Sequence, residues 1–158
     1  MIFTHSELVD IAEKWLFKRC GFAFKELTTI NQETPDAIGF RSGESILVEC
    51  KTSRSDFHAD KKKSFRLCAE QGVGRIRFFM CENGLILPKD LPEKWGLLWV
   101  NEKGRVRQKV GPKGNVWTYN NDFRFPEINT ENETALMYSA LRRLHLMGVL
   151  PLIYKNKQ

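Results

Sequence analysis

The sequence contains no apolar run of about 18 residues, the length that a membrane-spanning helix needs, so it predicts no transmembrane segment. Its four cysteines are widely spaced, and without a CxxC pair a zinc knuckle is not expected. The N-terminal MIFTHSELVD lacks the basic-then-apolar order of a secretory signal. These absences predict a cytoplasmic protein with reduced thiols and no membrane partner.

Positive charge is in excess and is unevenly distributed. The 158 residues include 25 lysines and arginines against 19 aspartates and glutamates, a net charge of +6 at pH 7. Residues 51–66 hold six cations and two carboxylates, and residues 102–113 hold five cations and one carboxylate. An excess of this sign favours a polyanionic partner, nucleic acid first. Each segment taken alone is equally consistent with a solvated surface.

Hydrophobic periodicity predicts one α/β domain, with helices packed around a single sheet. Thr4 and Glu7 have the spacing of a capping box at the start of the first helix, which Gly21 is expected to end. The predicted elements are a helix over 4–20, strands over 22–27, 36–40 and 46–52, a loop and a helix within 53–72, a strand over 75–81, a hairpin over 96–110 and a helix over 129–147. Residues 1–110 form the predicted core domain, and residues 111–158 an irregular excursion and a C-terminal helix packed on the same domain.

Three charged residues flank two apolar strands in the stretch TPDAIGFRSGESILVECKTSRSDF (residues 34–57). Glu49 and Lys51 are two residues apart at the end of one strand, so their side chains point to the same face and that of Cys50 to the other. Asp36 begins the preceding strand. If the RSGES turn pairs the two strands, Asp36 and Glu49 meet at one end of the sheet. Burying charged side chains there costs free energy, which favours a functional role for these residues.

This arrangement predicts a site for a hard divalent cation. Two adjacent carboxylates repel each other unless a cation lies between them, and oxygen ligands select Mg²⁺ or Mn²⁺. Such an ion beside Lys51 would polarise a phosphodiester and lower the pKa of an attacking water. Lys51 would position that water, help to deprotonate it, or stabilise the developing charge.

The same residues resemble the PD-(D/E)xK nuclease superfamily. The pattern of that family is proline-aspartate, a turn, and an apolar strand that ends in acid-x-lysine. Here it reads Pro35-Asp36, SILV and Glu49-Cys50-Lys51. The continuation SRSDFHADKK is similar to a bacterial and phage-borne branch, in which the strand runs into S-R-x-D-F-x-x-D-x-K. The resemblance covers about residues 5–107.

The resemblance implies both a fold and an activity. The fold would have a restriction-endonuclease-like α-β-β-β-α-β core, a mixed central sheet flanked by helices, with a hairpin and a C-terminal helix added. The activity would be metal-dependent hydrolysis of DNA phosphodiester bonds, in DNA repair or recombination or in phage DNA processing. Mg²⁺ or Mn²⁺ would bind Asp36, Glu49 and a backbone carbonyl near Cys50. Many relatives act as dimers, so a homodimer is a further expectation.

The family usually adds an acid from the first helix, and Glu7, Asp10 and Glu13 are the candidates. At about 100° per residue, Glu7 lies nearest to the edge of the apolar stripe and is the preferred catalytic and metal-binding residue. The alternative for Glu7 is that it only closes the capping box with Thr4.

Cations that follow the acid-x-lysine strand are candidates for contacts with DNA. They are Arg54, Lys61, Lys62 and Lys63. A solvated face is the alternative for the three lysines, and structural bracing is the alternative for Arg54. Asp56 and Asp60 are expected to brace the loop and the helix that follow the strand. Two other functions stay open. One is a non-catalytic nucleic-acid-binding module that kept the scaffold. The other is a phage or prophage protein that acts on host nucleic acid through a protein partner, with helix 130–147 as its docking surface.

Overall fold

A mixed sheet of six strands forms the centre of the fold in the computed structural model, which describes residues 2–28 and 33–155. The strands lie in the sheet in chain order. They are β1 (Phe22–Lys25), β2 (Ala37–Arg41), β3 (Glu44–Cys50), β4 (Ile76–Glu82), β5 (Trp95–Val100) and β6 (Val106–Val110). Strands β3, β4 and β5 run parallel, and the other neighbouring pairs are antiparallel. The α/β class is therefore confirmed.

The helices differ from the prediction in where they end. They are α1 (His5–Phe17), α2 (Arg54–Asp60), α3 (Ser64–Leu67) and α4 (Thr130–Leu146). Thr4 and Glu7 form the predicted capping box of α1, but α1 ends at Phe17, one turn before Gly21. The single helix expected within 53–72 is wrong, because α2 starts directly after β3 and the chain then turns into the separate α3. The side chain of Ser53 starts α2 by accepting a hydrogen bond from the backbone N–H of Asp56.

A tight hairpin joins β2 to β3 and fixes their register. Its two central residues, Ser42 and Gly43, have φ values of 45° and 84°, as a type I′ turn requires. In this register Ala37 is paired with Val48, so Asp36 comes beside Glu49 where the two strands end. The turn predicted at RSGES is thereby confirmed.

Helices and irregular segments cover the sheet on both faces. Helix α1 buries Leu8, Ala12 and Leu16 against one face. The other face is covered by Phe57 of α2, by Phe125 of the segment 111–128, and by Leu136 of α4. Residues Ser45 to Cys50 of β3 are all buried, which confirms the prediction of a central strand covered on both faces.

Helix α4 packs on this core mainly through its N-terminal part. Its buried residues are Asn132, Glu133 and Leu136, and Met137 and Ala140 add partial packing. Exposed apolar side chains follow in the last turns of α4 and in a short 3₁₀ helix, Leu150–Tyr154. Within the described residues, no helix is both long enough and apolar enough to cross a membrane.

A methyl group added at Gly96 is expected to destabilise the protein. Gly96 is in β5, and a Cβ there would lie 2.4 Å from ring carbons of the buried Phe78 and 3.0 Å from the carbonyl oxygen of Val110. Overpacking of this kind costs about 1–3 kcal/mol, which urea unfolding of Gly96→Ala would measure. Gly21→Ala is the matched control, because its nearest atom, the carbonyl oxygen of Phe40, is 3.6 Å away. Equal stability of the two variants would contradict the packing argument.

Candidate active site

Asp36, Glu49 and Lys51 come together at one end of the β2–β3 hairpin. The side chains of Glu49 and Lys51 share a face, and Lys51 Nζ lies 3.7 Å from Glu49 Oε2. Cys50 packs on the opposite face, in the cluster that α1 covers. Asp36 Oδ2 accepts a hydrogen bond of 2.7 Å from the backbone N–H of Cys50, which ties the start of β2 to the end of β3. The positions predicted for these side chains are therefore confirmed.

Three further side chains join Glu49 and Lys51 in a buried ionic network. Lys51 Nζ lies 3.3 Å from Asp60 Oδ1 at the end of α2. Arg66 of α3 lies 2.9 Å from Asp60, 3.2 Å from Glu49 and 2.9 Å from Glu33. Glu33, Glu49 and Lys51 are each 3% exposed and Asp60 is 1% exposed. We call these five residues the buried ionic network.

The network and its neighbours hold more negative than positive charge. The five carboxylates are those of Glu33, Asp36, Glu49, Asp56 and Asp60. The three cations are Lys51, Lys63 and Arg66. Burial raises the pKa of Glu49 to about 7; Arg66 opposes this rise and the charge of Asp36 adds to it. Asp36 therefore lies near enough for its charge to affect Glu49.

The pKa of Lys51 indicates how this lysine can act. Burial alone lowers its pKa, but the surrounding carboxylates, Glu49 first and then Asp60, outweigh burial and raise the pKa above its ordinary value. Lys51 thus carries a positive charge at neutral pH. Of the roles that the sequence left open, charge stabilisation and positioning of water are those that a charged ammonium fits best.

The oxygen donors of the site suit a hydrated hard cation and not a closed metal cage. Among the described residues, no group of three or more histidine, cysteine or acidic side chains could hold a metal ion. Mg²⁺ usually keeps several waters and binds one or two carboxylates, which Asp36 and Glu49 can supply together with the carbonyl of Cys50. Glu49 faces Arg66 and Lys51 through its two oxygens, so a cation would have to replace one of these contacts.

The α1 side chain beside Asp36 is a histidine rather than an acid. Glu7 Oε2 accepts hydrogen bonds from the N–H of Thr4, at 2.7 Å, and from its hydroxyl, at 2.9 Å. The capping role is therefore present, and the metal-binding role of Glu7 stays a prediction. Asp10 and Glu13 both pair with Lys25. His5 Nε2 instead lies 3.3 Å from Asp36 Oδ2.

Most of the cations predicted to contact DNA have partners inside the protein. Arg54 donates hydrogen bonds to the carbonyl of Leu85 and to Asp90, both at 3.0 Å. Lys61 donates to the backbone carbonyl of Asp90 at 2.6 Å, and Lys63 pairs with Asp60. Lys62 is exposed and forms no ion pair with the described residues. Contact with DNA stays a prediction for all four; neither Lys61 nor Lys62 forms an ion pair with a carboxylate of the described residues.

Two members of the buried ionic network were missed in the sequence. Glu33 stands in the polar stretch of sequence before Pro35, whose composition indicates a solvated loop, but one of its oxygens binds Arg66 and the other accepts a hydrogen bond of 2.9 Å from the N–H of Val73. The sequence showed Arg66 only as one of the six cations of residues 51–66 and gave no sign that it is buried. In the structure its side chain is 5% exposed. Asp60 braces this part of the chain, as the sequence predicted, through its contacts with Lys51, Lys63 and Arg66.

Glu49 is expected to make stability fall as the pH rises. Because its pKa in the fold is about 7 against an ordinary 4.5, the folded protein keeps a proton that the unfolded chain releases between these values. The free energy of unfolding, relative to that of Glu49→Gln, should therefore drop by on the order of 3 kcal/mol from pH 4.5 to 7. Denaturant unfolding in EDTA across this range measures the difference. Parallel curves for the two proteins would contradict the shift.

The fold of this chain is similar to that of a solved protein, the SPO1766 protein of unknown function from Silicibacter pomeroyi. The two structures share 17% sequence identity and a TM-score of 0.62, over 94% of this chain and 92% of the other. No family model and no curated protein match the sequence. At this identity the likeness shows the fold alone.

Proposed function

We propose that this protein is a nuclease that uses Mg²⁺ or Mn²⁺ to hydrolyse DNA phosphodiester bonds, in DNA repair or recombination or in phage DNA processing. The observation that carries the proposal is the placement of Asp36, Glu49 and Lys51 at one end of the β2–β3 hairpin, with Glu49 and Lys51 on one face of the sheet. DNA is the proposed partner, and the homodimer stays a prediction.

The order of the elements supports the proposal. The chain runs α1, β1, β2, β3, α2, α3, β4. With the two short helices α2 and α3 taken as one helical step, this is the α-β-β-β-α-β order that the resemblance implies for a restriction-endonuclease-like core. In that order the acid-x-lysine motif falls at the carboxyl end of β3, where α2 begins three residues later. In open α/β sheets this end of the strands is where ligands bind.

Each residue of the site has a separate part in hydrolysis. A divalent cation held by Asp36, Glu49 and the carbonyl of Cys50 would polarise the phosphodiester and lower the pKa of water. Lys51, held by Asp60, donates hydrogen bonds to the attacking water or to a phosphate oxygen and offsets the negative charge of the transition state. The reaction forms a P–O bond to water and breaks the P–O bond to the leaving sugar oxygen, which takes up a proton.

A second candidate function is favoured by the internal pairing of the site. Glu49 and Lys51 are neutralised within the buried ionic network, as they would be if they served only the fold. The protein would then be a non-catalytic nucleic-acid-binding module. Binding of a divalent cation separates the two functions, because a purely structural network has no need of one.

Asp36→Asn is expected to weaken Mn²⁺ binding at least tenfold. The asparagine oxygen can still accept the hydrogen bond from Cys50, so the fold is retained while the charge that would attract the cation is lost. Titration followed by electron paramagnetic resonance measures free Mn²⁺. Asp10→Asn is the matched control, since Asp10 lies on α1 and pairs with Lys25. No binding by the unmodified protein, or equal binding by both variants, would favour the non-catalytic module.

A further inference from the structure

Two adjacent cavities form a groove between the last turns of α1, strand β6 and the segment 111–128. Their volumes are ≈ 480 Å³ and ≈ 390 Å³, and both are lined by Trp15, Lys18 and Arg19. We call them the α1–β6 groove. The groove is remote from the candidate active site, because its Arg41 ends β2 whereas Asp36 precedes the first residue of that strand. Five residues of strand separate the two by about 17 Å.

The α1–β6 groove has positive charge alone. Its cations are Lys14, Lys18, Arg19, Arg41 and Arg105, and no aspartate or glutamate among the described residues lines either cavity. None of the five forms an ion pair with a carboxylate in the part of the chain that the structure describes, whereas the cations of the buried ionic network all do. Five uncompensated cations around one groove are suited to a chain of phosphates.

Aromatic rings lie beside the cations of the groove. The guanidinium of Arg19 lies 3.9 Å from the centre of the Trp15 ring, and that of Arg41 lies 5.5 Å from the centre of the Trp117 ring. Trp15 is buried, but Trp117 is partly exposed in the irregular segment. Indole rings and arginine planes are the surfaces on which unpaired bases stack.

We propose that the α1–β6 groove binds single-stranded nucleic acid, with its five cations on the phosphates and Trp117 against a base. Cavities of this size are those of ligand pockets and admit nucleotides one at a time, whereas a duplex keeps its bases stacked inside the helix. The proposal does not depend on the nuclease activity, because no residue of the groove belongs to the candidate active site.

The test removes charge from the groove and measures binding in EDTA, where no cleavage occurs. The ligand is a fluorescein-labelled 12-nucleotide single-stranded DNA, and anisotropy is recorded over a range of salt concentrations. The triple variant Lys18→Ala, Arg19→Ala, Arg41→Ala should bind about a hundredfold more weakly at 0.1 M salt, with a salt slope reduced by about 2. The control triple variant Lys89→Ala, Arg142→Ala, Lys155→Ala removes the same charge from exposed positions elsewhere and should bind like the unmodified protein.

Trp117→Ala tests the stacking contact separately. Loss of one stacked base should weaken binding of the single strand about tenfold while the salt slope stays the same. Equal weakening by the two triple variants, or a 12-base-pair duplex bound as tightly as the single strand, would overturn the proposal. Because binding is measured in EDTA and no groove residue belongs to the candidate active site, failure of the nuclease proposal leaves this result intact.

Discussion

Replacing Lys51 by alanine is expected to reduce metal-dependent cleavage of DNA by a factor of about 100 to 1,000. The raised pKa of Lys51 keeps it charged, and its ammonium is held beside Glu49 by Asp60. Removal of one such preorganised charge from an active site costs about two to three orders of magnitude in rate. The assay follows single-stranded, duplex and branched DNA with Mg²⁺ or Mn²⁺, and with EDTA as the blank.

Lys62→Ala is the matched control for this variant. Lys62 is a lysine of the same segment, but it is exposed and forms no ion pair with the described residues. Its removal should change the rate by less than tenfold, through weaker attraction of DNA alone. Loss of the Lys51 ammonium leaves the negative charges of Glu49 and Asp60 with fewer cations beside them, which can destabilise the fold. Circular dichroism must therefore show that Lys51→Ala is folded. Cleavage that persists unchanged in folded Lys51→Ala would remove the chemical basis of the nuclease assignment.

The sequence was sufficient to predict those parts of the structure that residues close together in the chain determine. The spacing of Thr4 and Glu7 specifies a capping box within one turn, and RSGES specifies a two-residue hairpin loop. Strand alternation then places the side chains of Glu49 and Lys51 on one face and Cys50 on the other, without any knowledge of the rest of the chain. The convergence of Asp36 with this pair followed from the hairpin alone.

The buried ionic network depends instead on contacts between distant segments. Glu33 and Arg66 are 33 positions apart, and no local pattern in the sequence indicates that these two charges meet. A count of charges in 51–66 gives the same excess whether a cation is solvated or paired, so Arg66 could not be told from Lys62. The break between α2 and α3 has the same origin, since it brings Arg66 back onto Asp60.

Replacing Arg66 by methionine is expected to destabilise the protein by about 3–5 kcal/mol, the usual cost of removing one partner from a buried ionic group. The change would leave Glu33, Glu49 and Asp60 facing one another with only Lys51 and Lys63 to offset their charge. Arg54→Met is the matched control, because the ion pair of Arg54 with Asp90 involves a side chain that is 46% exposed. Such pairs contribute about 1 kcal/mol or less. Urea unfolding at pH 7 in EDTA measures both variants.

A divalent cation connects this stability effect with the proposed function. If Asp36 and Glu49 bind Mn²⁺, the ion supplies beside Glu49 the positive charge that Arg66→Met has lost. Saturating Mn²⁺ should then stabilise Arg66→Met by more than it stabilises the unmodified protein, in which the ion must displace a contact of Glu49. Arg66→Met combined with Asp36→Asn should show a smaller gain. An equal gain in all three proteins would mean that Mn²⁺ binds elsewhere, and that Arg66 serves the fold alone.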